Sequence, residues 1–442
     1  MTELKRKLSL YGLTMIAVGS CIGSGIFISP ADVVQSIPNP EYALLAWMVG
    51  GIIALTGSLS YSELGSMFPQ SGGVYVYLKE AFGEQVAFLY GWVTLLVINT
   101  GALAALSLAF VNYLTFFVPL DDTLKLGIAV ATILILTAIN TRDVGISQWF
   151  ANIFTGIKLA VLVAMIIAGA IIFGDPQRVF SSGNTFSIIG QPGAFLTALI
   201  GILWSFGGWH HASYLAGEAI DPNRNVPKSM IFGTLIVTVV YVLTNFAYFS
   251  LLSVEQFAAS DRVAGDAMAT IFTNGGRMVS LGVMISVFGT IGIYTMSAPR
   301  IYHSMAQDGI FFKKLAKLHD KNGTPAFAMW FQAIWASLLI ILWRTFSDLV
   351  TYTTIMDIAF LALAGFSLFV LRYKKPHLER RVRVPLYPLV PAIFVLISAL
   401  FILNALAEKP QQAVAGIAVL GVGLIVYRYF KNKKTNHGKD NI

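Results

Sequence analysis

The chain has 442 residues, of which 56% are hydrophobic and 12% charged. A soluble domain carries about 25% charged residues, so this composition excludes a soluble enzyme or binding module and describes an integral membrane protein. The net charge of +8 would suit an anionic partner, but most of the basic residues fall in alternate segments between apolar runs. That is the positive-inside pattern, and nucleic-acid binding is not expected from it.

Twelve apolar stretches approach the roughly 20 residues a helix needs to cross the hydrocarbon core. In chain order they are 12–30, 42–69, 85–119, 124–139, 149–173, 195–216, 230–252, 279–302, 326–343, 349–371, 386–403 and 414–430. The third is long enough to be tilted. Lys5-Arg6-Lys7 precedes the first, but that run exceeds signal-peptide length and lacks a small-residue cleavage site, so it is expected to stay. With both termini cytoplasmic, the outer loops hold only Lys125, Arg178, Arg262, Arg277, Arg344 and Lys409, and Lys158 lies inside a span. The expected location is therefore a cell membrane, crossed many times, read as a prokaryotic inner membrane.

Two spans are interrupted by glycine. Ser20-Cys21-Ile22-Gly23-Ser24-Gly25-Ile26-Phe27 breaks the first, and Trp204-Ser205-Phe206-Gly207-Gly208-Trp209 breaks the sixth. An unwound turn in a bilayer is costly unless it lines a cavity. Alone, Gly-Ser-Gly favours a close helix-packing surface; a second break at the corresponding place reverses that and favours unwinding. Each break opens a block of five spans, and the blocks start on opposite faces. We therefore expect one transmembrane domain over 1–442: an inverted repeat of about 9–174 and 193–372, two further helices over about 384–430, and a cytoplasmic tail at 431–442. In the short loops, 72–83 reads as an amphipathic helix on the membrane surface and 254–276 as holding a short surface helix.

Helix polarity gives each break a chemical role. The N–H groups of Gly23, Ser24 and Gly25, at the start of a new half-helix, suit a carboxylate. The carbonyls of Cys21, Trp204, Ser205 and Gly207, at the ends of half-helices, suit an ammonium group. Together they fit the backbone of an amino acid. Trp204 is placed to close over such a ligand or to pack against lipid. No acidic residue adjoins either break in the sequence, which favours neutral substrates.

Several motifs in order carry a resemblance over nearly the whole length. They are Ile22-Gly23-Ser24-Gly25-Ile26-Phe27, Glu63-Leu64-Gly65-Ser66-Met67-Phe68-Pro69-Gln70-Ser71-Gly72-Gly73-Val74-Tyr75, Phe206-Gly207-Gly208-Trp209, Glu218-Ala219-Ile220-Asp221-Pro222-Asn223-Arg224-Asn225-Val226-Pro227 and Ala306-Gln307-Asp308-Gly309. The chain resembles the amino acid–polyamine–organocation superfamily of permeases, and within it the bacterial relatives of the L-type amino acid transporters. The resemblance implies an all-α, LeuT-like fold of 5+5 inverted repeats with helices 1 and 6 unwound. It also implies amino acid transport by alternating access. With the lack of acids at the breaks, the expected activity is sodium-independent exchange of small or medium neutral L-amino acids. Main-chain substrate contacts are implied at Cys21, Gly23, Ser24, Gly25, Trp204, Ser205 and Gly207, and Tyr294 is placed near the site. His210, where relatives often carry Asn, joins the expected side-chain pocket and puts side-chain preference in doubt.

Lys158 lies mid-span, where an ionisable residue is usually functional. Its ammonium is expected to brace span one against span five, in the place a sodium ion takes in sodium-coupled relatives, or to bind and release a proton. Glu63 and Glu218 are expected to pair with loop Lys or Arg, and Asp357 is deep enough to be a coupling group. Proton-coupled symport and a cationic amino acid or polyamine antiporter remain alternatives. No His-Glu-x-x-His, phosphate loop or nucleophile elbow is present, so catalytic residues, cofactors and a metal are not expected. Cys21 is the one cysteine, which argues against a disulfide-linked heavy chain; the expected partners are the amino acid and the bilayer.

Overall fold

The architecture was analysed in a computed structural model, which describes residues 4–180, 190–343, 346–408 and 410–439. Arg344, Lys409, part of the 175–191 loop and the end of the tail lie outside the described residues. The first apolar run divides into α1 (Leu10–Cys21) and α2 (Gly25–Ser36), bent by 41°. Then come α3 (Pro40–Met67), the short α4 (Val74–Phe82), α5 (Glu84–Leu114), α6 (Asp122–Asn140) and α7 (Val144–Ile172). The sixth run gives α8 (Pro192–Phe206) and the one-turn α9 (His211–Tyr214). The chain ends with α10 (Pro222–Leu251), α11 (Gly275–Gln307), α12 (Ala326–Trp343), α13 (Phe346–Lys374), α14 (Leu389–Glu408) and α15 (Pro410–Lys439).

Among the described residues nine helices are long and apolar enough to cross a membrane, ten if the bent pair is one span. That is fewer than the twelve stretches expected. The reason is local: α8 stops at its break and α12 stops where the described chain does, so both are shorter apolar helices. Position in the bundle follows composition. Of the most apolar stretch of α5, 89% is buried, against 22% for α15, so α5 is central and α15 is at the rim. Exposed Trp149, Ile171, Leu342 and Ile425 lie where hydrocarbon would cover them.

α1 packs against α10 and α7, α2 against α8, and α11 against both α5 and α7. The two broken helices are thus enclosed by the bundle. The N-terminal strand is fixed by main-chain bonds: Lys7 and Leu8 donate to the Glu218 carbonyl at 2.9 Å, and Ile220 donates to that of Leu8. Lys7 also donates to Asp143 at 2.9 Å, and this bond holds the Asp143 carboxyl below the usual carboxylate range. Asp143 in turn caps α7 by accepting from Gly145 N–H.

One expectation needs correction and another is extended. Segment 72–83 does form an amphipathic helix, α4, but it is not laid on the membrane: Val74, Tyr75, Tyr77 and Leu78 are buried in the protein and α4 packs on α5 and α13. A run of aromatic and small residues reads alike whether lipid or protein covers it. The 254–276 segment holds two short helices, Val254–Ala258 and Val263–Ala269, the first begun by a Ser253–Gln256 capping box.

Candidate functional site

α1 is capped by Ile22, which keeps the last helical hydrogen bond, and the ladder stops at Gly23. Ile22 donates back to Val18 and Gly23 donates to Cys21 at 2.8 Å. In this conformation the Gly23 N–H, expected to meet a carboxylate, is turned to the Cys21 carbonyl. Ser24 and Gly25 stand at the start of α2, where helix geometry leaves N–H groups without an intrahelical acceptor. The Ser24 hydroxyl is buried and unpartnered among the described residues.

The carbonyls exposed by the break are largely taken. Lys158 Nζ donates to Gly19 O at 3.0 Å, Ile22 O at 2.7 Å and Thr290 Oγ1 at 2.7 Å. These three acceptors saturate the three protons of an ammonium group. Lys158, on α7 and wholly buried, thus ties α7 to the end of α1 and to α11.

The second break interlocks with the first. Gly207 donates to Trp204 O at 3.0 Å, and Gly208 follows with φ of +112°. A Cβ on Gly208 would lie 2.7 Å from the Ser20 carbonyl carbon, so only glycine fits where the backbones cross. Gly25 meets Ser205 as closely, a Cβ there falling 2.7 Å from Ser205 Cα. Tyr241 Oη, from α10, lies 2.8 Å from Cys21 O and 2.9 Å from Ser205 O. One hydroxyl therefore bridges carbonyls of both breaks.

Two small cavities flank this junction. One, of about 10 Å³, is lined by Ser24, Gly25, Thr290, Trp204 and Tyr294 among others. The other, of about 30 Å³, is bounded by Trp204, Gly207, Tyr294, His211 and Asp357. Each has room for about a water molecule or two, so the conformation is closed and an amino acid requires it to open. The structure thus gathers Cys21, Gly23, Ser24, Gly25, Trp204 and Tyr294 around the first cavity, with Gly207 at the second. Ser205 contributes through its contacts with Gly25 and Tyr241.

His210 lines neither of these two cavities. It is buried against Trp209 and Tyr214, and its neighbour His211 faces the second cavity, its ring tilted against that of Tyr294 at 4.2 Å and bonded to Ser297 Oγ at 2.6 Å. Asp357 corrects a second point. No acid adjoins a break in the sequence, yet α13 brings this one to the second break, with Oδ1 unpartnered among the described residues.

The face that carries both chain ends is closed by ion pairs. Arg300 Nε and Nη2 donate to Glu218 at 3.0 and 2.7 Å, both residues being wholly buried. Glu63 accepts from Arg372 at 2.9 and 2.6 Å and from Val384 N–H at 2.8 Å, with Arg380 3.1 Å away. Loop partners were expected for both glutamates; Glu63 has one in Arg380 but also pairs with the helical Arg372 on α13, and Glu218 pairs with a helical arginine on α11. Removing one partner of a buried pair costs about 3–5 kcal/mol, whereas replacing both by apolar residues is often neutral. Arg300→Met should therefore lower the unfolding temperature of the purified protein sharply, and R300M/E218M should recover most of it. Additive losses would show that the two residues are not coupled.

Tyr241, Thr290, His211 and Asp357 were not assigned to the binding site from sequence. A tyrosine inside Val-Val-Tyr-Val-Leu is the one available signal for Tyr241, since a buried phenol needs a partner. Asp357 was singled out for depth, but its neighbour across the fold was not legible.

An all-helical, membrane-spanning bundle with two interrupted helices facing each other around closed central cavities is the architecture of a secondary transporter. Residues 8–427 match the amino acid permease family model. The chain is 32% identical to the b(0,+)-type amino acid transporter 1 of Mus musculus, over 97% of this chain and 88% of the relative. It is 32% identical to the large neutral amino acids transporter small subunit 2 of Homo sapiens (96% and 80% covered). It is 30% identical to the serine/threonine exchanger SteT of Bacillus subtilis (98% of both). The chain belongs to the amino acid permease family, and its helical bundle accords with the LeuT-like fold.

Proposed function

We propose that the protein exchanges small and medium neutral L-amino acids across a cell membrane by alternating access, without sodium. The observation that carries this reading is the opposed backbone polarity at the junction: the Ser24 and Gly25 amides open one half-helix, and carbonyls of Cys21, Trp204, Ser205 and Gly207 close others. The carboxylate is assigned to the former and the ammonium to the latter, with the side chain in the second cavity. The three relatives named above, two transporters of amino acids and one serine/threonine exchanger, support it. We read blocks 9–174 and 193–372 as inverted repeats, 384–430 as appended helices and 431–442 as a tail. Both termini lie in the cytoplasm of a prokaryotic cell, and no heavy chain is attached by a disulfide. Lys158 occupies the position of a coupling cation.

Proteoliposomes preloaded with unlabelled amino acids provide the test. Labelled uptake that depends on internal amino acid and not on sodium supports exchange; uptake driven by a proton gradient into empty vesicles refutes it. Tyr241 competes with an ammonium for Cys21 O and Ser205 O. Tyr241→Phe removes that competing hydroxyl and the link between the breaks together, so the apparent substrate affinity should change by about fivefold or more, one hydrogen bond being worth about 1 kcal/mol. An unchanged KM with unchanged rate would remove Tyr241 from the site.

Asp357 favours a second reading. A carboxylate facing the side-chain cavity with one oxygen unpartnered among the described residues suits a cationic side chain or a carried proton. Asp357→Asn separates the readings: selective loss of lysine or proton-driven uptake indicates the second, and unchanged selectivity the first.

A further inference from the structure

A cavity of about 430 Å³ opens far from the substrate site, between the segment after α11, the start of α12 and the end of α15. Its floor is aromatic. The Phe430 ring lies 5.6 Å from Phe311 and 5.1 Å from Phe312, and Phe312 approaches Phe331 at 6.4 Å. Phe312, Phe327 and Phe331 remain exposed. Its rim is basic: Lys313, Lys314, Lys433 and Lys434 all line it and all are exposed. Glu84 holds Lys434 at 2.7 Å, while the other three have no acidic partner among the described residues. A second cavity, sharing Lys314 and Phe327, adds Lys317.

Depth decides which anion fits. Phe430 belongs to the last turns of the apolar window Val414–Lys434, and Phe327 and Phe331 to the first turns of α12. The rings are therefore at the edge of the hydrocarbon and the lysines one turn further out, at head-group level. A soluble anion would leave the rings uncovered; a chain-bearing phosphodiester covers them. We propose that this pocket binds an anionic phospholipid, its phosphate among the lysines and its acyl chains along the phenylalanines. Basic pockets between transmembrane helices recognise such head groups elsewhere. With the termini cytoplasmic, the lipid belongs to the inner leaflet, and it holds the rim helix α15 against the α11–α12 connection.

The test is native mass spectrometry of the delipidated full-length protein titrated with phosphatidylglycerol or phosphatidylcholine of the same chains, and with inorganic phosphate. The expected result is retention of phosphatidylglycerol over phosphatidylcholine, undiminished by phosphate. Each lysine removed from K313Q/K314Q/K433Q should lower that preference about fivefold. The control K5Q/R6Q/R383Q removes equal charge from exposed residues of the same face and should retain it. Should the triple variant not fold, K313Q and K433Q singly should each show the fivefold loss. Equal binding of the two lipids, equal loss in the control, displacement by free phosphate, or a dimer mass that vanishes in Phe312→Ser would each overturn the proposal.

Discussion

Lys158→Ala should lower amino acid uptake at least tenfold in a protein that still inserts and folds. The lysine supplies the only contacts described here that run from α7 to both the Gly19 and Ile22 carbonyls and to Thr290 at once. A hydrogen bond to a charged group is worth about 1.5–3 kcal/mol, and 1.4 kcal/mol is a factor of ten. Folding should survive because Thr290 still reaches the same two carbonyls at 3.0 and 2.9 Å, and Ser286 reaches Ile22 at 3.2 Å. What disappears is the tie that makes the end of α1 and α7 move together. Initial rates in proteoliposomes, beside an unfolding curve of the same preparation, check this. Wild-type rates from folded mutant protein would sink the role given to Lys158.

Gly25→Ala should abolish transport, and a second change at Ser205 should not restore it. A Cβ on Gly25 would meet Ser205 Oγ at 2.4 Å, but also Ser205 Cα at 2.7 Å. Trimming the serine to alanine removes the first clash and leaves the second, which is set by the main chain. Something must shift, and the two backbones that shift are those that carry the proposed carboxylate and ammonium sites. Gly23→Ala is the control. Its Cβ would approach Leu106 and Thr290 side chains at 3.2 and 3.4 Å, which can give by a few tenths of an ångström. We expect Gly23→Ala to fold normally and bind substrate weakly, and Gly25→Ala with or without Ser205→Ala to be inert. Equal activity of the two single variants would contradict this geometry.

The parts of the site that depend on the local chain were legible in the sequence. Glycine pairs flag the breaks because few other residues tolerate a crossing such as Gly208 over Ser20, and Lys158 stands out because no solvent lies near mid-span. The parts missing from the sequence reading are all tertiary. Tyr241 is separated from Cys21 by 220 residues, so that no spacing rule connects them. Asp357 reaches Trp204 only because α13 crosses behind α8. His210 and His211 show the finest limit: adjacent residues on a turn whose local φ and ψ decide which ring meets Tyr294. The α4 segment was legible as amphipathic but not as buried, since the pattern reports a dry face without naming what dries it.

The size of the two central cavities has an electrical consequence. Protons cross membranes along unbroken files of water, and spaces of about 10 and 30 Å³ hold a molecule or two each, with Trp204 and Tyr294 standing in the walls of both. In this closed conformation the junction therefore acts as an insulator. A cell could keep many copies of the protein in its membrane without discharging its own voltage through this path.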